Sequence, residues 1–299
     1  MARARYRVPL TEWAADEALG FAVRVVVLTL LVYALVRLPE AGAEALTGEA
    51  APYWLAKLFL DVLVLSYVAV RSRWTGARLW ATLWAVYVGI QAVSQVEIAL
   101  YGMADWTAAT TGIGRMALVG AAIVLTVTVG FGRFRGSATP ARDGRLRLPT
   151  IEWAWKLALL AVTFLVLMII AGLVVFEGLA SVVDPAARAG YEIVDPPAWV
   201  LPFQLVRGLA FTALLVPVIA AFRGGYRETQ LSVALLFAVL LSSNMLAGYA
   251  AVPGLLWVAH FFELFAQALV YGLLAVALLF RHHHPLRRFR TRRGSASGG

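Results

Sequence analysis

Cysteine is absent from the 299 residues, which removes disulfides, thiolate metal sites and cysteine nucleophiles together. Charge is scarce as well: acidic and basic residues make up 14% of the chain, where soluble domains carry about a quarter. A P-loop, an HExxH zinc motif and a GxSxG nucleophile elbow are all missing. No polar stretch is much longer than about 20 residues, too short for an ordinary catalytic domain. These absences point away from common hydrolase, nucleotide and metalloenzyme chemistry.

What fills the chain is apolar. Hydrophobic residues account for 61% and the mean hydropathy is +0.78. Eight apolar segments run at about 19–37, 54–70, 79–101, 113–131, 153–176, 199–222, 231–249 and 255–280. Most have the roughly 20 residues that a helix needs to cross the hydrocarbon core. The runs are continuous rather than alternating, which argues against a β-barrel. The expectation is an all-α integral membrane protein with eight transmembrane helices. Arg3, Arg5 and Arg7 ahead of the first run imitate a signal peptide. That run is long for a cleaved segment, so it reads as a retained span.

The net charge of +9 is unevenly placed. The N-terminus, the loops near 71–78, 132–152 and 223–229, and the tail from 281 hold 19 of the 26 basic residues. The alternate loops hold only Arg188. The positive-inside rule then puts both termini in the cytoplasm, with an even number of spans. The expected setting is the plasma membrane of a bacterium or archaeon. Anionic lipid headgroups at the cytoplasmic face are the expected partners of these arginines, and nucleic acid is not expected. The run His282–His284 reads as a solvated interfacial stretch rather than a metal site.

Residues 7–14, RVPLTEWA, return at 147–154 as RLPTIEWA, identical at five of eight positions. Further echoes follow: APYW at 51–54 with PPAW at 196–199, and Arg71…Trp74 with Arg223…Tyr226. The chain is therefore expected to hold two tandem four-helix units in parallel orientation. Residues 1–135 form the first unit and 136–146 a cytoplasmic linker. Residues 147–285 form the second unit and 286–299 a basic, disordered tail. In the echo itself, Pro9 and Pro149 suit a first helical turn, and Thr11 or Thr150 can cap it. Glu12 and Glu152 suit the positive end of a helix, and Trp13 and Trp153 the headgroup level.

Ionisable residues inside spans are costly and are the default functional candidates. Here they are Asp61, Glu97, Arg115, Arg207, His260 and Glu263, with Lys57 nearer an end. Counting depth at about 1.5 Å per residue puts them all in the outer half of the membrane. They can pair, Asp61 or Glu97 with Arg115 or Lys57 and Glu263 with Arg207, which makes them structural glue. Alternatively they line an outward-facing pocket for an anionic or zwitterionic ligand. His260 and Glu263 stand at i and i+3, but one such pair falls short of a metal site. No catalytic residue, cofactor or metal is assigned. Pro202, Pro217 and Pro253 mark the second half, whereas the first has no proline between Pro52 and Pro140. That asymmetry counts against a symmetric transporter.

Two stretches, LFLDVLVLSYVAVRSRWTGARLW and LWVAHFFELFAQALVYGLLAVALLFRHHHPLRRF, resemble the membrane module of CdaA-type diadenylate cyclases. In that family an apolar span ends in an arginine-rich turn. Two more spans follow, and the last runs into a phenylalanine, proline, leucine and paired-arginine ending. Phe280, Pro285, Leu286, Arg287 and Arg288 mimic that ending, and Asp61, Arg71, Arg78 and Trp257 fall where similar types are expected. The ending departs from the pattern by its histidines and by the lack of a glutamate. The DGA and RHR motifs of the cyclase domain do not occur. The resemblance implies a duplicated membrane module without the nucleotide chemistry. The leading expectation is a non-enzymatic scaffold or regulatory partner, with a membrane protein or a second copy as its companion. A transporter or small-ligand binder is the alternative, and an intramembrane enzyme on a lipid or isoprenoid the third.

Overall fold

The computed structural model describes residues 15–41, 48–102, 104–135, 146, 148–189 and 198–280. Residues 7–14, most of the linker, His282–His284 and the arginine tail lie outside the described residues. The protein is all-helical. Its long elements are α1 (Ala15–Ala41), α2 (Ala51–Arg71), α3 (Gly76–Leu100) and α4 (Trp106–Gly130), then α5 (Thr150–Ile170). The helix continues from α5 through a π-helical stretch, Ala171–Phe176, into α6 (Glu177–Val183), and the short α7 (Pro185–Ala189) follows. Then come α8 (Val200–Ala221), α9 (Tyr226–Ser242), the short α10 (Asn244–Ala247) and α11 (Leu256–Phe280). Among the described residues, eight helical stretches are long and apolar enough to cross a membrane, matching the eight segments read from the sequence.

Local chemistry sets several of the helix starts. Asp105 caps α4 by accepting from the Ala108 N–H at 2.6 Å. Glu152 sits in the first turn of α5, where a carboxylate favours the positive helix end. Pro149 occupies the capping position itself and Thr150 opens the helix, so neither the proline nor the threonine plays the part expected of it. On α1 the buried residues are Phe21, Val25, Leu28, Thr29, Val32, Tyr33 and Val36, a stripe at helical spacing. Leu19, Val27 and Leu31 on the other side are exposed. Large exposed apolar residues also clothe α4, α5 and α8, including Leu118, Val166 and Val206. Soluble monomers rarely show such a surface; in lipid it is the expected one.

The helices meet in a regular order. α1 packs on α2 and α3 on α4; α5 packs on α8 and α9 on α11. Between these groups, α2 packs on α9 and α3 on α8. At one end the chain between α2 and α3 meets the chain between α8 and α9 in a single antiparallel bridge, Ser72 to Phe222. Arg73 N–H donates to Ala221 O at 2.7 Å and Arg223 N–H to Arg71 O at 2.9 Å. Beside it, the buried Arg71 guanidinium binds both Glu228 oxygens, at 2.6 and 2.8 Å, and Tyr67 adds a third bond to that carboxylate. Arg133 is used differently. It donates to the carbonyls of Ala69, Ser72 and Trp74, closing the carboxyl end of α2. This is the basic end of the bundle. At the far end the rings of Tyr53 and Tyr249 stack, Trp257 meets Tyr53 edge-on, and Tyr101 meets Trp199.

Two helices depart from the lengths read in the sequence. The span that begins at Thr150 was expected to stop near 176 but runs to Val183. Its 34 residues measure about 51 Å along the axis, well beyond a hydrocarbon core of about 30 Å. A small separate cluster of Phe176, Ala180, Leu256 and Ala259 supports the extension. Conversely, α9 ends at Ser242 rather than near 249. Ser243 and Asn244 turn their side chains to other helices at that point, so the straight helix gives way to α10 and a 3₁₀ turn, Tyr249–Ala251.

Candidate functional site

Buried and half-buried polar groups between the helices form three constellations towards the far end. In the first, Lys57 and Asp61 stand one turn apart on α2, with Nζ and Oδ2 at 2.6 Å and both side chains fully enclosed. Lys57 also donates to the Tyr87 hydroxyl at 3.2 Å, and Ser243 donates to the second oxygen of Asp61 at 2.8 Å. The carboxylate therefore ties α2 to α3 and to the break after α9. Next to it Gln91 donates to Leu240 O at 3.2 Å and accepts from the Asn244 amide. The amide oxygen of Asn244 is buried without a hydrogen-bond partner among the described residues.

The second constellation joins the two halves of the chain. Arg207 on α8 reaches Glu97 on α3, with Nη1 and Oε1 at 2.5 Å, and Gln204 donates to the same oxygen at 2.8 Å. Side chains lean towards the amino end of their helix. Arg207 leans towards the far end and Glu97 away from it, and residues that start at different depths meet. The guanidinium lies over the rings of Phe164 and Phe211, at 5.4 and 5.3 Å to the centroids. Glu263, the partner expected for Arg207, is not the one it takes.

Glu263 belongs to the third constellation. It bonds His260 one turn away on α11 at 2.9 Å, and the Phe176 ring lies 4.4 Å from the imidazole. Glu263 also lies close to Gly172 in the π-helical stretch. Nearby, on the extension beyond the span, Arg188 pairs with both oxygens of Glu177 at 2.8 and 3.0 Å. Asp184 accepts from the N–H groups of Ala187 and Leu255, which hold its carboxyl below the ordinary aspartate range. Asp184 thereby fastens the start of α7 to the turn before α11.

Of the six residues singled out in the sequence, Glu97 and Arg207 come together, and so do His260 and Glu263. Asp61 binds Lys57, and Arg115 is exposed on α4. Sequence reasoning missed the hydrogen bonds around Tyr271, whose hydroxyl contacts Thr212 at 2.5 Å and Gly208 O at 2.7 Å. It also missed Asp184, although the Asp-Pro step before a short helix is a legible cap signal. Among the described residues no group of three or more histidines and carboxylates stands ready to hold a metal ion. Two grooves of about 340 and 360 Å³ open on the outside of the bundle, one between α1 and α2 and one between α3 and α4. Their linings are apolar except for Thr29. No family model, curated protein or solved structure matches this chain.

Proposed function

We propose that this is a non-enzymatic membrane protein that serves as a scaffold or regulatory partner of other membrane proteins. The observation that carries this reading is the state of the buried ionisable groups. Lys57 with Asp61 and Arg207 with Glu97 bond one another; the second pair joins α3 to α8, and Tyr87 and Ser243 carry the first to α3 and to the break after α9. Removing one partner of such a pair strands a buried charge, so pairs of this kind serve shape and register.

The architecture proposed with it is two tandem four-helix units, parallel and related by a pseudo-twofold axis along the membrane normal. Helices α2, α3 and α4 begin at 51, 76 and 106, and α8, α9 and α11 at 200, 226 and 256, an offset close to 150. The reciprocal packing of α2 on α9 and α3 on α8 is what such an axis produces, and Ser72 and Phe222 would lie on it. An offset near 150 replaces the 145 and 152 implied by the short matches at 51–54 and 71–74. The basic end faces the cytoplasm in this reading. The resemblance to a cyclase membrane module agrees with a role in holding or regulating a partner.

Photo-crosslinking in native membranes tests the proposal. A benzophenone side chain replaces Leu19, Leu118, Val166 or Val206, one exposed residue on each of α1, α4, α5 and α8. A discrete protein adduct from one face and none from the others is expected. No protein adduct from any face overturns the scaffold reading.

A second reading, a transporter or small-ligand binder, is favoured by the helix break at Ser243 beside Asp61. Broken helices at depth line transport sites. Proteoliposomes carrying a trapped pH dye test it under imposed proton, sodium and potassium gradients. A protein-dependent proton flux that Asp61→Asn abolishes supports transport, and its absence under all three gradients removes proton transport and proton exchange for sodium or potassium.

A further inference from the structure

The groove between α3 and α4 lies in the first half of the chain. It is lined by Ala77, Trp80, Ala121, Ala122, Leu125 and Phe134. At the offset of 150, Trp80 corresponds to Gln230 and Ala122 to Gly272. There α9 and α11 are closed on each other. A Cβ on Gly272 would come within 2.6 Å of the Ala234 Cα, and the Gln230 amide bonds Leu273 O at 2.9 Å. In the first half the indole of Trp80 and the small side chains of Ala121 and Ala122 leave about 360 Å³ open towards the lipid.

Its position has a direction. Ala77 and Trp80 are in the first turns of α3, Phe134 follows the end of α4, and Ala121 lies nine residues before that end. At about 1.5 Å per residue the groove runs some 13 Å inward from the basic end, close to the depth of one leaflet of a core about 30 Å thick. Two exposed arginines flank its mouth in sequence, Arg78 after Ala77 and Arg135 after Phe134. The Arg78 guanidinium lies over the Trp74 ring at 3.7 Å. That stacking orients it, while its N–H donors make no hydrogen bond among the described residues. An apolar slot one leaflet deep, with an exposed arginine next in sequence to Ala77 and another next to Phe134 at its basic end, is complementary to a chain that carries a phosphate.

We propose that this groove binds one anionic phospholipid, with an acyl chain along Ala121, Ala122 and Leu125 and the phosphate held by Arg78 and Arg135. The site goes beyond the scaffold reading and rests on the proposed orientation only for its leaflet, the cytoplasmic one. It gives the first half a fixed lipid that the second half excludes.

Native mass spectrometry of the purified full-length chain tests this, by titration with dioleoylphosphatidylglycerol and, separately, dioleoylphosphatidylcholine. One phosphatidylglycerol should bind at concentrations where phosphatidylcholine does not. Arg78→Gln with Arg135→Gln, both at exposed positions, should weaken it about tenfold or more. Ala122→Phe should abolish it by filling the slot; if that variant fails to fold, the arginine pair still decides. Equal retention of the two lipids, or an unchanged affinity in the double variant, overturns the proposal. Displacement of the lipid by millimolar inorganic phosphate also overturns it, since the site would then be one for free phosphate. The measurement does not depend on orientation or on a protein partner. Orientation is read separately, from labelling of Ser137→Cys with an impermeant maleimide in intact cells, where the cysteine-free sequence leaves no background.

Discussion

Lys57 Nζ lies 2.6 Å from Asp61 Oδ2 with neither side chain exposed, and Ser243 closes the other carboxylate oxygen from a different helix. Asp61→Asn leaves the ammonium buried without a counter-charge and should cost about 3–5 kcal/mol. Ser243→Ala removes one hydrogen bond and should cost about 1–3 kcal/mol. Lys57→Met with Asp61→Leu should recover most of the loss. Unfolding by denaturant titration in mild detergent measures all three; a cost below 1 kcal/mol for Asp61→Asn means that water reaches the pair.

Close packing of α5 on α8 gives a second prediction. A Cβ on Gly208 would stand 2.8 Å from the Phe164 Cβ and 3.1 Å from the Ala161 Cα, neither of which can swing aside. Alanine gains up to about 1 kcal/mol in helix propensity, but overpacking costs about 1–3 kcal/mol. Gly208→Ala should therefore destabilise. Gly114→Ala, with nothing within 4 Å, should stabilise by about 0.5–1 kcal/mol. The two thermal midpoints should move in opposite directions.

Asp184 supplies the pH dependence. Its folded value lies below the ordinary 3.8, because the Ala187 and Leu255 N–H groups favour the carboxylate. Its contribution is therefore complete above about pH 4 and is lost as the pH falls through the lower folded value. Amide exchange at Ala187 and Leu255, corrected for intrinsic rates, should lose protection across that window. Asp184→Ala should remove the protection at every pH.

The eight spans were legible because twenty-residue apolar runs leave few alternatives, and depth counting found the polar residues at the far end. Which of them meet was not legible. Glu97 and Arg207 are separated by 110 positions, and apolar helix faces carry little information about which neighbour they meet. The lean of each side chain along its helix is the signal that predicts the pair once α3 and α8 are known to touch. Arg133 was hidden for a different reason. An arginine in a basic loop reads as an orientation signal, and nothing in its neighbours announces three backbone carbonyls. The π-helical stretch 171–176 contains no proline and has no sequence mark that we can identify.

If the charges between the helices serve as fastenings, Glu97 and Arg207, which join α3 to α8, carry the clearest signature of it. A double-mutant cycle of Glu97→Leu and Arg207→Met, read as unfolding free energy in detergent, separates the possibilities. Each single change should cost about 3–5 kcal/mol, and the double variant should return to within about 1 kcal/mol of the wild type. Additive losses in the double variant would contradict the account.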